Sequence, residues 1–152
     1  MLLCAFLLGF VAGLRSMLAP AFVSWFARCG VLAVVNTPLA FMGYQYTPII
    51  LTVFAVGELI ADKLPKTPSR KAPPGFIARI VTGGLVGATI GAAGHSLVIG
   101  LILGVVGAIA GTFAGSAARA RLAAAFGRDL PAALTEDLVG IAIAAFSLLG
   151  VK

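Results

Sequence analysis

Charge is scarce in this sequence. Lys, Arg, Asp and Glu make up 11% of its 152 residues, against roughly 25% in a soluble domain. So few charges cannot coat a water-facing surface, which excludes an ordinary cytosolic enzyme and a disordered tail. Acids are scarcer still, with five Asp and Glu against 11 Lys and Arg. There are two cysteines and one histidine. Cys4 and Cys29 lie at opposite ends of one apolar segment. On a single helix they would stand about 37 Å apart, too far to bridge, which excludes a disulfide-stapled secreted module. No Cys-x-x-Cys or other metal-ligand spacing occurs. Neither does a G-x-S-x-G, HExxH, GxGxxG or Walker pattern, and His95 has no placed nucleophile beside it. Neither enzymatic activity nor a metal or cofactor is expected.

Apolar residues are abundant instead, at 61%. Their distribution predicts one all-α membrane domain over residues 1–152, a polytopic helical bundle with about five spans. Residues 2–27 form the first apolar run. It lacks a basic segment ahead of it and carries Arg15 in its middle, so it reads as a span and not as a signal peptide. Pro20 is a candidate kink. Residues 30–43 are too short to cross and are broken by Asn36-Thr37-Pro38, which suits an interfacial or re-entrant piece. Trp25, Phe41, Tyr44 and Tyr46 around it resemble an aromatic belt. Spans at 47–64, 76–96, 97–118 and 132–150 follow, with a turn near Gly94-His95-Ser96. His95 is expected to be an exposed turn residue.

The basic residues set the orientation. Eight of the 11 lie in 63–79 and 119–128, two expected loops separated by two spans. The positive-inside rule puts both in the cytoplasm. The N-terminus is then cytoplasmic and the C-terminus external. Gly9-Phe-Val-Ala-Gly13 resembles Gly111-Thr-Phe-Ala-Gly115, and each is followed by an arginine. This raises an inverted repeat of spans 1–2 and 4–5 with span 3 as connector, a plan common in secondary transporters.

Arg15 is the most costly residue to bury, at roughly 2.5–3.5 kcal/mol on insertion scales. Its expected partner is Glu58, with which it would form a site near the bilayer midplane. Glu58 and Asp62, spaced i and i+4, share a helical face. Glu136 and Asp137 open the last span, where acids suit a helix N-terminus. Together with Ser16 these residues are the candidate substrate or ion site. A second pattern concerns packing. Gly83, Gly87 and Gly91 recur every four residues in the third span, and Gly104, Gly107, Gly111 and Gly115 stripe the fourth. Such stripes let helices approach closely.

Gly13-Leu-Arg-Ser16, Glu58-Leu-Ile-Ala-Asp-Lys-Leu-Pro65, Thr67-Pro-Ser-Arg70 and Glu136-Asp137 together resemble a family of small bacterial inner-membrane proteins catalogued only as a domain of unknown function. The resemblance covers nearly the whole chain. It implies a multi-pass protein and marks Arg15, Glu58, Asp62, Lys63, Glu136 and Asp137 as signature positions, but implies no substrate. Two functions compete. One is a transporter or channel for a small solute or ion, working as a homodimer because five helices enclose little. The other is a non-transporting protein that binds lipid or assists assembly through its basic segment 63–79. The partners expected are the lipid bilayer, a second copy and a small solute or ion, and no nucleic acid.

Overall fold

The computed structural model describes residues 1–63 and 72–150. Among these, six α-helices and one 3-10 turn occur and no strand. They are α1 (Leu2–Leu14), α2 (Leu18–Arg28), η1 (Ala40–Gly43), α3 (Thr47–Ala61), α4 (Pro73–Ala93), α5 (Leu97–Phe126) and α6 (Asp129–Leu149). Three helices, α4, α5 and α6, are long and apolar enough to cross a membrane, fewer than the five spans expected.

The first discrepancy is the span at 2–27, which is two helices. Arg15 is extended, at φ −140° and ψ 113°, and ends α1. The proline explains the break. In a continuous helix the Pro20 ring would clash with the Ser16 carbonyl four residues earlier. With α2 starting at Leu18, Pro20 falls in its first turn, where a missing N–H costs nothing. At about 1.5 Å per residue, the 13 residues of α1 rise about 20 Å, short of a core of about 30 Å.

Other boundaries moved as well. The second span ends at Ala61. Arg79, expected in the basic loop, sits on α4 with its Nη1 donating to the Gly75 carbonyl at 3.1 Å. The loop expected at 119–128 is helical to Phe126, so Arg119 and Arg121 ride on α5. Gly127, at φ +65°, supplies the left-handed cap that ends it. Residues 64–71, which include Pro65 and the Thr67-Pro-Ser-Arg70 string, lie outside the described residues. The turn at 94–96 is as expected: Gly94 caps α4 and His95, at φ +57°, is exposed.

Glycine dictates the packing. A Cβ on Gly87 would stand 2.7 Å from the Gly104 Cα, and one on Gly91 would stand 2.8 Å from the Gly100 Cα. No real Cβ tolerates such distances, so α4 and α5 touch backbone to backbone. The other side of α5 holds α1 in the same way: Gly9 lies on Gly104, Gly13 on Ala108 and Thr112, and Gly107 on Phe6 and Phe10. The paired numbers rise together, so α1 and α5 run parallel. An inverted repeat needs its first and fourth spans to run in opposite directions, and these two do not.

Helix α1 is the centre of the bundle, with Ala5, Leu8, Val11 and Ala12 fully buried. Met1 reaches Gly94, so the chain begins at the end of the bundle that holds the α4–α5 turn. The expected N-terminal placement beside loops 63–79 and 119–128 is thereby reversed. Val11 and Leu18 both lie over Gly140 of α6. Helix α2 turns off the axis of α1 and packs on α3, α4 and α6. Residues 29–46 fold against α2: Leu32, Val34 and Met42 are buried, and the Ser24 hydroxyl donates to the Met42 carbonyl. Trp25 Nε1 donates to Thr52 Oγ1 at 3.0 Å, pinning α2 to α3.

Candidate functional site

Ending α1 at Arg15 leaves the N–H groups of Ser16 and Met17 without helical partners. Both donate to Glu58 near the end of α3. Ser16 N and Ser16 Oγ each lie 2.8 Å from Glu58 Oε1, and Met17 N lies 2.8 Å from Oε2. A carboxylate suits this place, because free N–H groups and the helix dipole at the start of α2 favour negative charge.

The Arg15 side chain goes elsewhere. It is 1% exposed and held by two other acids. Its Nη1 is 2.8 Å from Asp62 Oδ2. Its Nε donates to Asp137 Oδ1 at 2.8 Å. Nη2 lies 2.5 Å from the same oxygen, an ion-pair contact too bent for a hydrogen bond. The expected Arg15–Glu58 pair is replaced by Arg15 with Asp62 and Asp137, while Glu58 holds the backbone one residue further on. The reason is geometric. The break points the arginine side chain and the next two amides at successive turns of α3.

The network extends further. Lys63 Nζ is 3.2 Å from Asp137 Oδ2. Arg119 Nη1 meets Asp62 Oδ2, the oxygen that also takes Arg15. Arg119 Nε donates to Asp129 Oδ1 at 2.8 Å, and Glu136 Oε2 lies 3.8 Å from Nη1. A line of alternating charge therefore runs Lys63, Asp137, Arg15, Asp62, Arg119 and then Asp129 and Glu136. Its middle is buried, and Asp129 at its end is 61% exposed. All five acids of the chain stand in this one region.

Every candidate site residue from the sequence is there: Arg15, Ser16, Glu58, Asp62, Glu136 and Asp137. Glu136 and Asp137 are not at a helix start. Helix α6 begins at Asp129, which places them in its third turn, 7% and 6% exposed. Helix-dipole stabilisation is confined to the first turn, so ion pairing accounts for them. Arg119 is the residue that sequence reasoning missed as a site member. Its signal was available: it stands one helical turn beyond the glycine stripe, at a spacing that continues Gly111 and Gly115. Along the helix Arg15 lies about 20 Å from Met1.

Beside the network a cavity of about 180 Å³ opens between α5 and α6, floored by Phe10 and Leu14 of α1. Gly115, Arg119 and Glu136 line it together with apolar side chains. Among the described residues no cluster of His, Cys, Asp and Glu has the grouping to hold a metal ion. His95 lies at the α4–α5 turn, far along the chain from the charged network. Cys4 Sγ contacts the Ser147 carbonyl at 3.3 Å, and both cysteines are free. Comparison with protein families, with characterised proteins and with solved structures returns no match.

Proposed function

We propose that this chain is a multi-pass bacterial inner-membrane transporter or channel for a small solute or ion, working as a homodimer, with its site at the α1–α2 break. One observation carries the reading: an apolar helix is interrupted at Arg15–Met17, and the freed amides are held by an ionisable side chain, Glu58. Broken helices whose N-termini face a negative group are how transporters build sites within the bilayer. Ionisable residues buried among membrane helices are functional by default. Glu58 occupies the place that the anionic group of a solute would take, and the neighbouring Arg15 network supplies the opposing charge.

The membrane arrangement follows from the same residues. Helix α3 exposes Ile49, Ile50, Val53, Phe54, Val56 and Ile60, a surface that needs lipid. With α3 ending at the network, its start and residues 29–46 belong at the opposite face, where the aromatic side chains form a belt. The chain then crosses or enters the core six times, with both termini external and Arg119, Arg121 and Arg128 cytoplasmic. The resemblance to small bacterial inner-membrane proteins is in keeping with this.

The test is flux. Purified protein is reconstituted into vesicles holding a pH dye, and a potassium diffusion potential is imposed with chloride, phosphate or acetate outside. Wild-type vesicles should move at least one of these anions, or protons, faster than empty vesicles. Glu58→Gln should fall to the empty-vesicle rate while remaining folded. No flux from wild type under any condition would favour the lipid-binding or assembly reading.

A further inference from the structure

The cavity between α5 and α6 has a use that the transport reading does not absorb. Its wall is apolar, from Phe10, Leu14, Ala114, Ala118, Leu122 and Val139. Its polar groups are already engaged. The Thr135 hydroxyl donates to the Pro131 carbonyl. Arg119 is held by Asp62 and Asp129, and Glu136 stands beside it. A polar solute entering here would find no free partner. The volume, about 180 Å³, is also below the roughly 300–1,000 Å³ of small-molecule pockets. An apolar chain, entering in part, fits both facts.

Depth and charge specify which chain. Helix α5 has 30 residues, or about 45 Å, and a core of about 30 Å takes about 20 of them. Counted from Leu97, the hydrocarbon ends near residue 117. The cavity therefore begins in hydrocarbon at Ala114 and Gly115 and ends at headgroup level by Leu122. One stripe of α5 continues it: Ala114 and Ala118 are four apart, and Arg121 follows three later, on the same face. Arg121 is exposed and so is Arg128, just past the helix end. Neither forms an ion pair among the described residues, whereas nearby Asp129 is paired with Arg119.

We propose that this groove seats one acyl chain of an anionic phospholipid of the cytoplasmic leaflet, with Arg121 and Arg128 meeting its headgroup. Lipid-specific sites of this kind combine an apolar cleft between helices with basic residues at its cytoplasmic mouth. Ala114 and Ala118 are exposed, so an added ring at either fills the groove without entering the packed interior.

The experiment is native mass spectrometry of the full chain released from nanodiscs of equal phosphatidylglycerol and phosphatidylcholine. The wild type should retain one phosphatidylglycerol at detergent levels that strip phosphatidylcholine. Ala118→Phe, and separately Ala114→Phe, should lose that lipid, while Ile102→Phe on the outer part of α5 keeps it. Arg121→Ala combined with Arg128→Ala should lower phosphatidylglycerol retention several-fold and leave phosphatidylcholine unchanged. Equal retention of the two lipids by wild type would overturn the proposal. So would phosphatidylglycerol retained undiminished in either folded Ala→Phe variant.

Discussion

Arg15 stands between Asp62 and Asp137, and each acid has a second cation, Arg119 or Lys63. Removing a partner from a buried ion pair costs about 3–5 kcal/mol. The second cations soften that, so Arg15→Ala should destabilise by about 3 kcal/mol, the lower end of the range. The identity of the partners is tested by rescue. Asp137→Asn added to Arg15→Ala should recover part of the lost stability, because it removes a stranded charge. Glu58→Gln added to Arg15→Ala should recover none, since Glu58 bonds the backbone and not the arginine. Thermal unfolding in detergent reads both; rescue by Glu58→Gln alone would contradict the geometry. At this scale the sequence announced the anomaly of an arginine in an apolar run, and its spacing put Glu58 and Asp62 on one face. Which of the two meets the arginine depends on where the helix breaks, and no local pattern sets that to the residue. Arg119 was hidden because a run of arginines after an apolar segment reads as a loop.

Helix α5 is the element on which the others assemble. Gly104 is pressed by α4 on one side, with the Gly87 Cα 2.8 Å from where its Cβ would stand, and by Gly9 of α1 on the other. A side chain there has no direction of escape. Gly104→Leu should abolish folding, and Gly87→Leu should do the same for the α4–α5 contact alone. Gly57→Leu is the control, because nothing lies within 4 Å of its Cβ position. Size-exclusion profiles and yield in detergent should separate the first two from the third; a well-behaved Gly104→Leu would contradict the packing. The glycine stripes of α4 and α5 were legible as a four-residue period. That α1 joins them, running parallel to α5, was not. Its direction follows from the break at Arg15, where Pro20 forbids a continuous helix.

Among the described residues, four acids and three cations form one line near one end of the bundle, buried at its middle and with Glu58 beside it, and the opposite end holds Met1 and the Gly94–Ser96 turn. Hydropathy alone identified the all-helical class, with α4, α5 and α6 long and apolar enough to cross. It counted five spans because it cannot see a break inside an apolar run, or tell a crossing from a helix that stops part-way. The proposed site at the break must work and not merely lock α1 to α3. It is tested by the reactivity of Ser16→Cys, in a background of Cys4→Ala and Cys29→Ser, toward a membrane-impermeant thiol reagent in reconstituted vesicles. With Glu58→Gln added, which weakens the hold on residues 16 and 17, Ser16→Cys should react from at least one side. With Glu58 intact it should react more slowly, and modification should block flux. A residue 16 thiol that stays inert from both sides in both backgrounds, while the protein with Glu58 intact still carries flux, would contradict a working site at the break.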